Sequence, residues 1–205
     1  MELDQQLKET LIKVAEFYDQ RKTGDRGPLG FRRSSDIGTV FNCLDRLLDQ
    51  GILRPHQSLF MDLGCGDGRL NVFLSYLVKK SIGIELDEWT LEESYPLKAE
   101  LEETLKRQGL ITPPENILLF HGDAMDKTVH ETVQRESGVA LDNCDVFYTY
   151  LVMHQEYAHL VARRAKSGSI LMVYGLDKIL PRYEGLQLLE DISPMEGILA
   201  LYQKV

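Results

Sequence analysis

The chain has 205 residues, 43% of them hydrophobic, enough for one buried core and too apolar for a disordered tail. Lysine and arginine total 23 against 32 aspartates and glutamates, a net charge of −9, which disfavours nucleic acid because a phosphate backbone calls for a positive surface. No apolar run approaches the about 20 residues that span a bilayer, and Met1-Glu2-Leu3-Asp4 lacks the basic start and greasy stretch of a secretory signal. Cys43, Cys65 and Cys144 are too few and too scattered for a disulfide framework or a CxxC metal site, so reduced thiols in a cytoplasm are expected.

In chain order, Leu3, Leu7, Leu11, Val14 and Tyr18 share one helical face, so the first twenty residues read as an amphipathic helix. Gly24 to Gly30, with Pro28, cannot continue it. Ser34 or Ser35 is the expected cap of a second helix that buries Ile37, Val40, Phe41, Leu44, Leu47 and Leu48 and stops at Gly51. From Ser58 strands and helices alternate. Strand-like runs are 59–63, 82–86, 117–121, 146–150 and 170–174, with helical stripes at Leu70 to Val78 and Leu91 to Leu105. That alternation predicts a parallel sheet covered by helices on both faces. Gly185 to Glu190 and Gly197 to Tyr202 are separated only by a turn at Ser193-Pro194, which predicts an antiparallel hairpin. One domain is expected over 1–205, with a helical lead-in over 1–57 and a sheet core over 58–205.

The chemistry concentrates where strands end. Asp62-Leu63-Gly64-Cys65-Gly66-Asp67-Gly68 follows a strand and opens a helix, the context a glycine-rich nucleotide loop requires. Its glycines allow positive φ and close approach of a ligand to the main chain, beside the positive end of a helix dipole. About twenty residues on, Glu85 ends the next strand, where a carboxylate can accept from both hydroxyls of a ribose. Gly122-Asp123-Ala124 ends the third, where an aspartate and a neighbouring backbone N–H could read an adenine edge; a plain helix cap is the competing reading.

In this order the motifs resemble those of the class I, seven-strand, S-adenosylmethionine (SAM)-dependent methyltransferases, over roughly residues 58 to 174. A fainter similarity, through Asp67-Gly68-Arg69 and Gly83-Ile84-Glu85-Leu86, is to the protein-lysine methyltransferases among them. The resemblance implies a Rossmann-like, seven-stranded, mostly parallel sheet with an antiparallel C-terminal hairpin, helices on both faces and an N-terminal helical extension. It implies SAM as cofactor. Asp62, Gly64, Cys65, Gly66 and Asp67 would hold its amino-acid part, Glu85 the ribose, Leu86 the adenine face, and Asp123 with Ala124 the adenine edge. The chain reads Tyr148-Thr149-Tyr150-Leu151 after the fourth strand and lacks the Asn/Asp-Pro-Pro-Tyr motif of enzymes that methylate adenine or glutamine amides.

A sulfonium methyl is already activated, so the protein has mainly to align a nucleophile and exclude water. Tyr148, Tyr150 and His154 are the candidate acceptor-side groups, histidine being the most adaptable base near neutral pH. Two tyrosines in the core and a solvent-facing histidine at a helix start are the bland alternatives. Gly27 to Asp36 is expected to form a lid, with Arg32 or Arg33 facing the SAM carboxylate or an anionic acceptor; a surface linker whose arginines meet only solvent is the plain alternative. The acceptor is left open between a protein lysine and a small molecule. A SAM-binding protein without catalysis competes, as does a NAD-dependent oxidoreductase, whose Gly-x-Gly-x-x-Gly spacing the run Gly64-x-Gly66-x-Gly68 does not keep.

Overall fold

The computed structural model describes residues 3–21 and 34–205, together with the backbone of 26–27 and 30–31. Helix α1 (Gln5–Asp19) starts at Asp4, whose carboxylate accepts the Leu7 N–H. It buries Leu11, Val14, Ala15 and Tyr18, and each large apolar side chain so covered contributes about 2 kcal/mol. A two-residue antiparallel pair, β1 (Arg26–Gly27) with β2 (Gly30–Phe31), precedes α2 (Ile37–Asp49). The cap of α2 differs from the sequence expectation. Asp36, not a serine, accepts the Thr39 N–H at 2.6 Å, while Asp19 reaches across from α1 to take the N–H groups of Ile37 and Gly38 at 2.8 and 2.7 Å. A carboxylate bonded to two adjacent orphan donors also meets the helix dipole, which a hydroxyl cannot match.

The sheet runs β5-β4-β3-β6-β7-β9-β8. Strands β3 (Leu59–Leu63), β4 (Lys80–Glu85), β5 (Ile117–His121), β6 (Val146–Tyr150) and β7 (Ile170–Tyr174) are parallel. Strand β9 (Leu199–Lys204) enters antiparallel between β7 and the short β8 (Leu186–Leu188). The Rossmann-like architecture and closing hairpin expected from the sequence are both present. Side chains alternate across the sheet as its pleat requires. Phe60, Val146, Tyr148, Ile170 and Met172 join one core cluster with α1, α2, α3 (Arg69–Ser75) and α5 (Ser94–Arg107). Met61, Leu63, Ile82, Phe147 and Leu171 join the other, with α6 (Lys127–Ser137) and α7 (His154–Arg164). The stripe from Leu91 to Leu105 is two helices, α4 (Glu88–Glu92) and α5, with Glu93 between them. No helix among the described residues is long and apolar enough to cross a membrane.

Candidate functional site

Strand order reverses between β3 and β6, and a cleft of about 500 Å³ opens at the carboxyl ends of the strands there. Ligands of open α/β sheets bind at such a switch point. The loop after β3 forms its floor. The N–H groups of Gly64 and Cys65 both donate to the Ile84 carbonyl, at 2.9 and 3.0 Å, which ties the loop to β4. Glu85 fixes it from the side: its Oε2 accepts the Gly66 N–H at 2.8 Å and its Oε1 the Asp87 N–H at 2.9 Å.

The three glycines have different reasons to be glycine. Gly64 (φ +96°) and Gly66 (φ +57°) have no heavy atom within 4 Å of where a side chain would begin. A Cβ there would enter cleft space. Gly68 (φ +72°) has Leu119 Cδ1 only 2.8 Å from that position, so its lack of a side chain serves packing. Gly83, opposite Asp62 in the strand register, is more crowded still: Cys65 Sγ, Leu119 and Asn71 Oδ1 all lie 2.7–2.8 Å from the missing Cβ.

Three carboxylates lie around this floor. Asp62, only 2% exposed, has an Oδ1 with no hydrogen-bond partner. Burial, then the charges of Glu85 and Asp67, push its pKa well above the ordinary aspartate range. A buried acceptor of this kind costs free energy unless a donor arrives. Asp67 is held by Arg69, whose Nη2 donates to Oδ2 at 2.7 Å and Nε to Oδ1 at 3.0 Å, both side chains being buried. Cys65 lines the cleft with its thiol buried, and burial followed by the charge of Asp62 raises its pKa.

The remaining expected residues fall as follows. Leu86 lines the cleft and is 55% exposed, and Asp123 and Ala124 line it beside Gly122, whose N–H donates to the Glu85 carbonyl at 2.8 Å. Asp123 Oδ1 accepts the Met125 N–H at 2.8 Å, so the residue also turns the chain toward α6. Tyr148, the register partner of Asp62, is on the β6 wall of the cleft with its hydroxyl paired to Ser35 Oγ; burial raises its pKa strongly, only partly countered by that bond. Tyr150 lines the same wall, its ring 5.7 Å from that of Tyr174. His154 stands at the start of α7 with Nδ1 bonded to the Tyr183 hydroxyl, and the cleft lining does not include it. Burial lowers its pKa, which favours the neutral ring. Of the expected lid, Pro28, Leu29, Arg32 and Arg33 lie outside the described residues, and 27, 30 and 31 are described by their backbone alone.

Sequence reasoning missed Ser35, Arg69, Thr90, Val152, Met153 and Tyr157 as lining residues. Only Arg69 carried a signal, as the residue directly after the third glycine. Among the described residues no group of three or more His, Cys, Asp or Glu side chains could hold a metal ion.

Comparison with known proteins gives one family: the model of "Histone methylation protein DOT1" matches residues 38–171, which takes in α2 and the sheet through β7 apart from its last residues. No curated protein matches the chain. Among solved structures it is similar to a tRNA (m1A58) methyltransferase from Aquifex aeolicus, at 12% identity, over 97% of this chain and 76% of that one, with a TM-score of 0.53. It is also similar to the Escherichia coli protein yhhF, at 17% identity, over 86% of this chain and 89% of that one, with a TM-score of 0.52. At such identities the likeness is one of fold.

Proposed function

The chain belongs to the DOT1 histone-methylation family and is a SAM-dependent methyltransferase, and from that premise we propose that its acceptor is a lysine side chain of a protein. The observation that carries this reading is the lining of the cleft: Gly64 and Gly66, which we read as the cofactor floor, share it with Tyr148, Tyr150, Val152 and Met153, which we read as the acceptor wall. An aromatic and aliphatic lining suits the methylene stem of a lysine, and the net charge of −9 suits a basic protein segment. Bound SAM supplies a methyl group already activated by the sulfonium charge.

The residues fit that group. Gly64 and Gly66 leave room for the amino-acid part of SAM against the main chain, with Cys65 contributing backbone between them. The orphaned Oδ1 of Asp62 accepts from its ammonium group. Asp67 shapes the loop through Arg69. Glu85 keeps lone pairs for the ribose hydroxyls beyond those given to Gly66 and Asp87. Leu86 packs on the adenine, and Asp123 with Ala124 reads its edge. Tyr148 and Tyr150 wall the acceptor channel and exclude water from it. His154 holds Tyr183, and with it the segment before β8. We further read 1–205 as one working domain, because α1 and α2 share a core cluster with the sheet, and we place it in the cytoplasm, where its three free cysteines stay reduced.

Asp62 gives a pH-dependent expectation. Its folded pKa is raised, so the stabilising contribution of its protonated form is complete below the ordinary aspartate value and is lost as pH rises through the raised one. Ionised Asp62 therefore costs stability near neutral pH unless a cation meets it. Asp62→Asn is expected to melt higher than the parent at pH 7 without ligand. It should bind S-adenosylhomocysteine about tenfold more weakly, through loss of a charge-assisted bond. Thermal melts at several pH values and calorimetry read both changes. A variant that melts lower and binds equally well removes Asp62 from the amino-group site.

The acceptor is tested by transfer of tritium from methyl-labelled SAM into purified core histones and into the small-molecule fraction of a cell extract. Methyl-lysine in acid hydrolysates of the histones is the expected product. Label confined to small molecules would reject the protein acceptor.

A further inference from the structure

The buried pair of Arg69 and Asp67 reaches beyond the loop it belongs to. The Arg69 guanidinium lies 5.7 Å from the ring centre of Tyr18, which is fully buried on α1 with no partner for its hydroxyl. A guanidinium on an aromatic face is attractive, more so when both are desolvated. The next residue, Asp19, adds its negative field to Arg69 and grips the N–H groups of Ile37 and Gly38 with both oxygens. From there Ser35 pairs with the Tyr148 hydroxyl, and the Asp36 N–H donates to the Tyr174 hydroxyl at 3.3 Å. Ser35 and Tyr148 both line the cleft. The contacts make an unbroken line from the cofactor loop, through the end of α1 and the start of α2, to the acceptor wall.

We propose that Arg69 and Asp19 are positioning residues that couple the cofactor loop to the acceptor wall, so that a ligand in the loop steadies the segment carrying Ser35 and Asp36. This rests on the reading of the Gly64–Gly66 floor as the cofactor site. The physical basis is the stiffness of the parts. A bidentate ion pair buried on both sides has one good geometry, and a carboxylate bonded to two consecutive amides fixes the direction of a helix. Movement of Asp67 therefore passes to α1 through Arg69, and from α1 to the start of α2 through Asp19. The use to the enzyme is order: the acceptor channel takes its shape once the methyl donor is in place.

The test uses the full-length protein with saturating S-adenosylhomocysteine and follows amide hydrogen exchange by NMR at Gly66, Ile37 and Gly38. Ile37 and Gly38 point their N–H groups at Asp19, so slowing there reports coupling and not ligand contact. In the parent, the ligand is expected to slow exchange at all three, by about fivefold or more at Ile37 and Gly38. In Asp19→Asn, which leaves one of the two amides without its carboxylate oxygen, Gly66 should still be slowed while Ile37 and Gly38 are not. Arg69→Lys, which keeps the charge and loses the bidentate fork, is free to change the affinity; at saturating ligand the slowing at Ile37 and Gly38 relative to that at Gly66 should fall. Arg69→Met would strand a buried carboxylate and is avoided. Ligand slowing at Ile37 and Gly38 that persists in both variants, or is absent in the parent, overturns the coupling. No slowing at Gly66 in the parent, with no heat of binding, overturns the cofactor site as well.

Discussion

Replacing Glu85 by alanine is expected to weaken S-adenosylhomocysteine binding by well over tenfold while leaving the sheet folded. The carboxylate has two tasks at once. It pins Gly66 and Asp87 through backbone N–H bonds of 2.8 and 2.9 Å, and it offers its remaining lone pairs to the ribose. Each charge-assisted bond contributes about 1.5–3 kcal/mol, so losing even one to the ligand costs about tenfold in affinity. Loss of the pin adds to this, because an untethered loop has to be ordered at the time of binding. Glu85 sits half-buried at the last position of β4, whose ladder is made by backbone, so the fold has little stake in its side chain. Glu85→Gln is expected to fall between the two, since an amide can accept at one oxygen only. Calorimetric titration measures both, with circular dichroism to show the fold. Equal affinity in parent and alanine variant would remove Glu85 from the ribose site.

The second large effect is expected from Gly66→Val: binding abolished, with a moderate loss of stability. The Cβ would enter open cleft with no protein atom beyond its chain neighbours within 4 Å, so the steric penalty is expected to fall mainly on the ligand. The backbone penalty is separate. At φ +57° a β-branched residue is strained, by about 1–2 kcal/mol. Gly138→Val supplies the control, because Gly138 has φ +71°, caps α6, and has only Lys80 Nζ, at 3.9 Å, near its missing Cβ. Both variants should melt lower by similar amounts, and only Gly66→Val should lose the ligand. Binding retained in Gly66→Val would show that the loop does not cradle the cofactor. Equal loss of binding in both variants would assign the effect to strain.

The sheet and the glycine loop after β3 were legible in the sequence for a common reason: both are written in short-range pattern. Apolar runs of five residues alternating with helical stripes imply a parallel layer. Gly64 and Gly66 follow directly on β3, and Glu85 stands at the end of the next strand. The helix starts were less legible. Asp36 caps α2 in place of Ser34 or Ser35, and Asp19, seventeen residues earlier, supplies the other two acceptors.

The partners of the tyrosines on the proposed acceptor side were decided by tertiary structure alone. Tyr148 and Ser35 are 113 residues apart, Tyr174 and Asp36 138. No local pattern says which hydroxyl a buried tyrosine will find. The same holds for Arg69, which in sequence is a helix-start arginine and in space a buried cation between Asp67 and Tyr18. The backbone conformation of a glycine loop is set by residues next to it. The partners of a buried polar side chain depend on which elements the hydrophobic core brings together, and only packing of the whole chain decides that.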